Sequence, residues 1–448
     1  MNGRHCIAAL GLAAAALAPA QAAPALLDFT ADERERILSH GPWPPPPVRD
    51  PANALEGRAE AIAFGRRLFH DRRLSADGRM ACASCHVPAR AFQDGRPTAS
   101  ARRGDGPRNT PTLLDVAFHR WFGWGGSNDS LWAASLAPML ATGEMAHTLA
   151  TLAARVRAHP DLARGWVQAV QRPLPDDDEQ VVVGLAKALA AWQATRVSPR
   201  TPFDAFRDAL ARGELRSAGA YPLAAQRGLR LFIGEARCSV CHSGPHFSNG
   251  EFADIGLPFF LPPALGGVDS GRHAGLRALR ESRFTRLGPH HDGDASQDVR
   301  ALLTRQATLE PRHFGEFRVP GLRQLVHTAP YWHDGSAASL AEVLRHYSAL
   351  NEDRLHSDGE RILRRLNLTP TQAADLEAFL RSLSTVAPAP RAVPAPPAAP
   401  GGGAAPAAPA ARVAPVGSGA PFGLSAPAAQ SPPAAPAAGT ASPSIHTR

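Results

Sequence analysis

The chain has 448 residues, 44% of them hydrophobic, with 48 Lys and Arg against 40 Asp and Glu. That length and apolar content suffice for two ordinary domains with sizeable cores. The net charge of +8 reflects an arginine-rich composition, and no nucleic-acid motif accompanies it, so nucleic acid is excluded as the expected partner.

Residues 1–22 read as a signal peptide. Arg4 and His5 form a short polar start, Cys6 to Leu17 an apolar stretch, and Ala20-Gln21-Ala22 a small-residue cleavage site. Cleavage removes Cys6 and leaves four cysteines. No later apolar run is long enough to cross a bilayer. In the segment that follows, Thr30 and Glu33 have capping-box spacing at the head of a helix. Pro42 to Pro47 is an extended link.

Ala59 to Phe69 has helical periodicity and ends on Leu68-Phe69. A loop leads from it to Cys82-Ala83-Ser84-Cys85-His86. The same order recurs later: Gln226 to Phe232, ending on Leu231-Phe232, and then Cys238-Ser239-Val240-Cys241-His242. Two thiols three residues apart, followed at once by histidine, form the attachment pattern of c-type haem. The thiols add across the haem vinyl groups and the histidine binds the iron. Composition alone predicts roughly 0.002 such pentapeptides in a chain of this make-up, so two are a strong signal. A zinc site built from two CxxC pairs does not require a histidine after each pair. Two covalent haems use all four cysteines and leave none for a disulfide. Export together with covalent haem points to the bacterial periplasm.

Thr148 to Val170 and Asp176 to Thr195 are helical by periodicity. Residues 259–315 form a long insertion rich in Gly, Pro, Arg and His. Leu340 to His346 and Pro370 to Leu383 are further helices, the latter capped by Thr369 with proline in first position. Residues 386–448 are almost wholly Ala, Pro, Gly and Ser and lack the apolar bulk to order themselves. The expected fold is mainly α: two cytochrome-c-like haem domains with long loops and a disordered tail. The boundaries are 1–22 signal peptide, 23–215 N-terminal peroxide-binding haem domain, 216–385 C-terminal electron-transfer haem domain, and 386–448 tail.

His86 and His242 supply one ligand to each iron, and function turns on the opposite position. A second ligand makes an electron-transfer centre, whereas an open position makes a peroxide or oxygen site. Further motifs bear on this choice. They are Arg108-Asn109-Thr110-Pro111, the stretch from Trp124 to Glu144-Met145, Arg318-Val319-Pro320-Gly321-Leu322-Arg323, and Thr328-Ala329-Pro330-Tyr331-Trp332-His333-Asp334-Gly335. With the two haem motifs, they resemble the bacterial di-haem cytochrome c peroxidase and MauG superfamily over about residues 55–385. Within it the chain is more similar to MauG and to the MbnH-type tryptophan-oxidising relatives than to the plain peroxidases.

Three departures place it there. The methionines are Met1, Met80, Met139 and Met145, so none follows the second haem motif. Where the peroxidases place a ligating methionine, this chain has Tyr347, as MauG does; His346 and Tyr331 are the alternatives nearby. A phenolate favours oxidised iron, which suits storing oxidising equivalents. The peroxidases also carry a histidine that caps the N-terminal haem, and that position here is Ala101. The resemblance therefore implies an open first haem that needs no reductive activation. Finally, the family's distal Gln, Pro and Glu correspond to Ala134, Pro138 and Glu144, so one amide partner is lost. Glu144 is the implied general acid-base. Trp124 falls where the family has its inter-haem tryptophan, an implied electron relay. Asn109, with the carbonyls of Thr328 and Pro330, matches the family's calcium site, where oxygen donors suit a hard cation.

His333 reads as structural within its motif. His70, His119, His147, His246, His290, His291 and His313 receive no role. The implied activity is a periplasmic, hydrogen-peroxide-dependent oxidase. It forms a high-valent di-haem state and oxidises an aromatic side chain, tryptophan first, of a protein substrate. The alternatives are a peroxidase fed by small cytochromes or cupredoxins, and a di-haem electron carrier.

Overall fold

The computed structural model describes residues 25–385, apart from 48, 103, 264, 354, 355 and 360. The expectations for 1–22 and 386–448 lie outside those residues, as does the side chain of Ala101.

Helices dominate. The first half carries α1 (Ala31–Leu38), α2 (Ala59–Phe69), the single turn α3 (Cys82–Cys85), α4 (Leu131–Leu140), α5 (Leu149–Ala158), α6 (Pro160–Val170) and α7 (Asp178–Gln193). The second carries α8 (Pro202–Ala211), α9 (Leu215–Gly219), α10 (Leu223–Ile233), α11 (Arg272–Glu281), α12 (Val299–Gln306), α13 (Leu340–Ser348) and α14 (Pro370–Ser382). Strands among the described residues are only two residues long; Phe252–Ala253 pairs antiparallel with Phe317–Arg318.

Local chemistry sets the helix ends. Thr30 Oγ1 accepts from the Glu33 N–H at 3.2 Å, and the Glu33 carboxylate accepts from the Thr30 N–H at 2.8 Å. Thr369 caps α14 through the Gln372 N–H. The single helix expected over Thr148 to Val170 is instead two. His159 is extended, and Pro160 has no N–H to continue the ladder, so α6 starts afresh with proline in first position. The 259–315 insertion, for which the sequence suggests no particular element, contains α11 and α12.

Among the described residues two large hydrophobic cores form, beside a small cluster of Trp121 with Leu276 and Leu279 of α11. One gathers α2, α4, α5, α6 and α7 around Phe64, Leu68, Trp132, Leu152 and Trp192. The other gathers α8, α10, α13 and α14 around Phe203, Phe232, Phe247, Leu344 and Phe379, and it recruits Phe29 and Ile37 from the leading segment. Phe203 and Phe206 of α8 already belong to the second core, whereas Trp192 of α7 belongs to the first.

The internal repeat reaches into helix packing. Gly65-Arg66-Arg67-Leu68-Phe69 and Gly228-Leu229-Arg230-Leu231-Phe232 share a register, and each glycine sits where its helix crosses another. A methyl group on Gly65 would lie 2.0 Å from the Ala188 carbonyl oxygen in α7, and one on Gly228 would lie 1.9 Å from the Asp375 carbonyl oxygen in α14. Backbone meets backbone at both crossings, so only glycine fits. The helix that leads to each CxxCH is thereby fixed against its own core.

The insertion is clamped to the first core by charge. Arg286, fully buried, donates to Asp50 at 2.7 Å and Asp298 at 2.6 Å, and its Nε donates to the Asp129 carbonyl at 2.8 Å. Arg108 pairs with Asp269 at 2.6 Å.

Gly228→Ala is expected to force α10 and α14 apart and to lower stability by about 1–3 kcal/mol, the usual cost of overpacking. A fall in denaturation midpoint, absent when a glycine in open space such as Gly143 is replaced by alanine, is the measurement that checks it.

Candidate haem-binding site

Both attachment motifs are built alike. Cys82 to Cys85 makes one helical turn, and the His86 N–H closes it on the Cys82 carbonyl at 2.9 Å. Cys238 to Val240 makes a 3₁₀ turn, and the His242 N–H closes on Cys238 at the same distance. Each turn puts its two sulfurs and its imidazole together. Nδ1 of His86 lies 3.0 Å from the Phe92 carbonyl, and Nδ1 of His242 lies 2.9 Å from that of Phe247. Phe92 and Phe247 both take left-handed backbone, with φ of 61° and 55°, which turns those carbonyls inward. The backbones of Pro111 and Pro320 also contact the two rings. Burial lowers the pKa of each imidazole and favours its neutral form.

An apolar cavity of about 400 Å³ opens beside the second motif. Cys238, Cys241, His242 and Tyr347 line it, with Phe232, Leu344 and Leu380 among the apolar walls. It continues past Asn109, Trp124, Thr328 and Pro330. The structure therefore brings the expected ligand, relay and calcium residues onto one cavity. Burial raises the pKa of the Tyr347 phenol, and the neighbouring Cys238 and Cys241 sulfurs add to the shift. Of the alternatives, Tyr331 donates to the Leu325 carbonyl at 3.0 Å, and His346 Nε2 meets the Ile255 carbonyl at 2.8 Å. Among the described residues none hydrogen-bonds the Tyr347 hydroxyl.

Trp124 is held rigidly. Its indole N–H donates to the Asn109 carbonyl at 2.9 Å, and its own carbonyl accepts from the Arg318 N–H at 2.8 Å. The loop beyond it packs under α11, where Arg272 donates to the Gly126 carbonyl at 3.0 Å. Asn109 donates its side-chain amide to Arg96 and its backbone N–H to the His333 carbonyl. The His333 ring stacks on Phe317, 3.4 Å between centroids, in keeping with a structural role.

Ala134 and Pro138 are one turn apart on α4, both partly exposed. Pro138 removes the amide that would bond the Ala134 carbonyl, and the helix ends two residues later. A turn then presents Glu144, whose N–H bonds the Ala141 carbonyl at 3.0 Å. The Glu144 side chain is exposed by area, yet enough protein flanks it that desolvation raises its pKa. Its charge reaches the thiols of Cys82 and Cys85, which places it beside the first motif. It is not part of the large cavity.

The donor set fits two covalent haems. Each imidazole has Nδ1 engaged by a backbone carbonyl, which fixes the ring and leaves Nε2 as the metal-facing atom. Desolvation pushes the Cys82 and Cys238 thiols up to about 12, so both are held in the neutral form. Arg318 lines the cavity, only 5% exposed, with its Nε buried and unpartnered. Such an orphan suits the carboxylate that a haem carries. Arg318 and the contact between His119 and His246 were not found from sequence as site features. Lone histidines 127 residues apart give no signal that they meet.

Comparison with known proteins agrees with this geometry. A family model described as di-haem cytochrome c peroxidase matches residues 59–211. Cytochrome-c peroxidase IdrP1 of Denitromonas iodatirespirans is 34% identical over 354 residues, covering 78% of this chain and 87% of that one. Methylamine utilization protein MauG of Methylorubrum extorquens is 34% identical over 328 residues, covering 72% and 78%. A crystal structure of a MauG-like protein associated with microbial copper homeostasis superposes with a TM-score of 0.57 at 26% identity, covering 77% of this chain and 95% of the other. The fold is also that of the diheme peroxidase BthA from Burkholderia thailandensis, with a TM-score of 0.58, 21% identity, and 75% and 89% covered.

Each motif has its own thiols and its own anchored histidine, so the two attachments are separable. Replacing Cys82 and Cys85 by alanine is expected to yield protein whose intact mass carries one haem instead of two, with the second haem's absorption retained.

Proposed function

This chain belongs to the di-haem cytochrome c peroxidase and MauG family, and from that membership we propose that it is a periplasmic, hydrogen-peroxide-dependent oxidase of the MauG type. It is an oxidoreductase with haem as cofactor, and no helix among the described residues is long and apolar enough to cross a membrane. The electrons come from an aromatic side chain of a protein substrate, tryptophan first. When bound, the haems would supply iron that exchanges single electrons and can bind peroxide.

The observation that carries the MauG-type reading is Tyr347. It lines the cavity of His242, its hydroxyl has no hydrogen-bond partner among the described residues, and no methionine follows the second motif to take its place. A phenol whose pKa is raised by burial ionises only against a strong positive charge, which a ferric iron provides. Cys82, Cys85 and His86 hold one haem; Cys238, Cys241, His242 and Tyr347 hold the other. Glu144 would be the group that accepts a proton from peroxide and gives it back to the departing oxygen as water. Pro138 ends α4 so that the Glu144 turn follows directly. Trp124, fixed at both its N–H and its carbonyl, is the indole through which an electron crosses between the halves. Asn109, with the carbonyls of Thr328 and Pro330, holds calcium beside it.

A second reading has its own support. The relatives named cytochrome-c peroxidase match this chain as well as MauG does, which favours peroxide removal with electrons from small redox proteins. Peroxide treatment beside a co-secreted candidate protein separates the two. A mass change at tryptophan supports the oxidase, whereas fast turnover of reduced cytochrome c without it supports the peroxidase.

Tyr347→Phe is expected to abolish oxidation of the protein substrate and to alter the ferric spectrum of the second haem, while His346→Ala and Tyr331→Phe leave that spectrum in place. A wild-type spectrum in Tyr347→Phe would sink the ligand assignment. For Glu144, only the ionised form accepts a proton. Its pKa is raised by desolvation, so the rate with peroxide should fall as pH drops through that raised value, earlier than an ordinary carboxylate would give. Stopped-flow measurement should show Glu144→Gln slower by about 10²–10⁴-fold and without that limb.

A further inference from the structure

Three groups with no part in this scheme meet on the wall of the main cavity. His119 and His246 face each other with Nε2 atoms 3.2 Å apart. Nη1 of Arg318 lies 3.5 Å from the same His119 nitrogen. The Nε2 to Nε2 contact requires one ring to donate and the other to accept, so the neutral pair shares one N–H between them. Nδ1 of His246 and Nε of Arg318 are both buried without a partner. All three side chains line the main cavity and also a side cleft of about 100 Å³. Arg120, Ser248, Asn249 and Gly250 complete that cleft, and exposed Arg120 puts its mouth at the surface.

The charges around the pair are lopsided. Arg323 is balanced by Asp204 at 2.9 Å, and Arg120 by Glu251 at 3.0 Å. Arg300 from α12 acts on His119, and His242 acts on His246 from its own loop. Arg318 has no opposite charge among the described residues; desolvation alone shifts it, down to about 10. A buried cation without a counter-charge is costly, and the niche is complete only with an anion.

We propose that Arg318, His119 and His246 form a carboxylate niche for a propionate of the haem attached at Cys238 and Cys241, and that the histidine pair takes up one proton when that haem gains one electron. This rests on haem being bound at the second motif, but not on which substrate supplies electrons. In the titration the electron comes from a one-electron redox mediator and the proton from water through the side cleft, and both leave on reoxidation. Without the carboxylate, burial and the arginine charges hold His246 down to about 3 and His119 well below its usual value. A carboxylate beside Arg318 cancels one of those charges. Reduction removes another positive charge from the same cavity. Both changes favour the protonated pair.

Spectroelectrochemical titration of the purified di-haem protein between about pH 5 and 8 tests this without peroxide or substrate. One proton per electron means that the second haem's potential falls by about 59 mV for each tenfold drop in proton activity. In His119→Asn and in His246→Asn, which keep an amide donor but cannot titrate, that slope should flatten while the first haem is unaffected. His119→Asn alone decides if the other variant, whose ring stacks on Trp43, does not assemble. No slope in the wild type, or equal slopes in wild type and His119→Asn, would overturn the proposal. Added phosphate or acetate should leave the potential unchanged; a shift with anion concentration would mean that a free anion fills the niche instead. Loss of the second haem by mass would fail the haem assignment itself, a result distinct from a flat slope.

Discussion

Two backbone carbonyls, those of Phe92 and Phe247, govern the chemistry of this molecule. Each lies within hydrogen-bond distance of the Nδ1 of a buried imidazole and so orients the ring. Both carbonyls depend on a phenylalanine in left-handed backbone, a conformation that costs a bulky residue free energy and persists only when the surroundings enforce it. At Phe247 the enforcement is visible: its ring is fully buried against Phe203, Phe232 and Phe379. The second core thus does more than exclude water. It holds a strained turn whose carbonyl aims a ligand.

The helices beneath these turns are held with equal firmness. Gly65 and Gly228 let α2 and α10 touch the backbones of α7 and α14, and both helices run straight towards an attachment motif. The repeated unit therefore consists of a crossing glycine, a Leu-Phe pair, a loop, the two thiols, a histidine and the carbonyl that orients it. The surroundings of the two motifs differ: Glu144, on a turn after a proline-broken helix, acts on the thiols of the first, and Tyr347, on α13, lines the same cavity as the second. The 259–315 insertion, pinned by Arg286 and Arg272, packs against the Trp124 loop between the two motifs.

Much of this was legible in residue order. The thiol and histidine spacing, the capping box at Thr30 and Glu33, the α2, α7, α13 and α14 helices and the absence of a late methionine are all local or countable. The break at Pro160 was equally local but was masked by continuous apolar periodicity across it. The helices of the insertion were missed because their short amphipathic faces are interrupted by Gly, Arg and His. The choice among Tyr347, His346 and Tyr331 was open in sequence. In the folded chain the Tyr331 hydroxyl and His346 Nε2 each meet a backbone carbonyl, whereas among the described residues nothing hydrogen-bonds the Tyr347 hydroxyl.

The sequence by itself determined that this chain carries the haem-attachment pattern twice, that a helix precedes each copy, and which family its motifs resemble. Those properties depend on spacing along one strand of covalent chain. Only the tertiary structure decided which distant groups share a surface: that His119 meets His246, that Arg318 is buried with no opposite charge, and that Trp124 hangs from the Asn109 carbonyl. Such meetings follow from how two cores and an insertion pack, and packing is a property of the whole fold that no local pattern encodes.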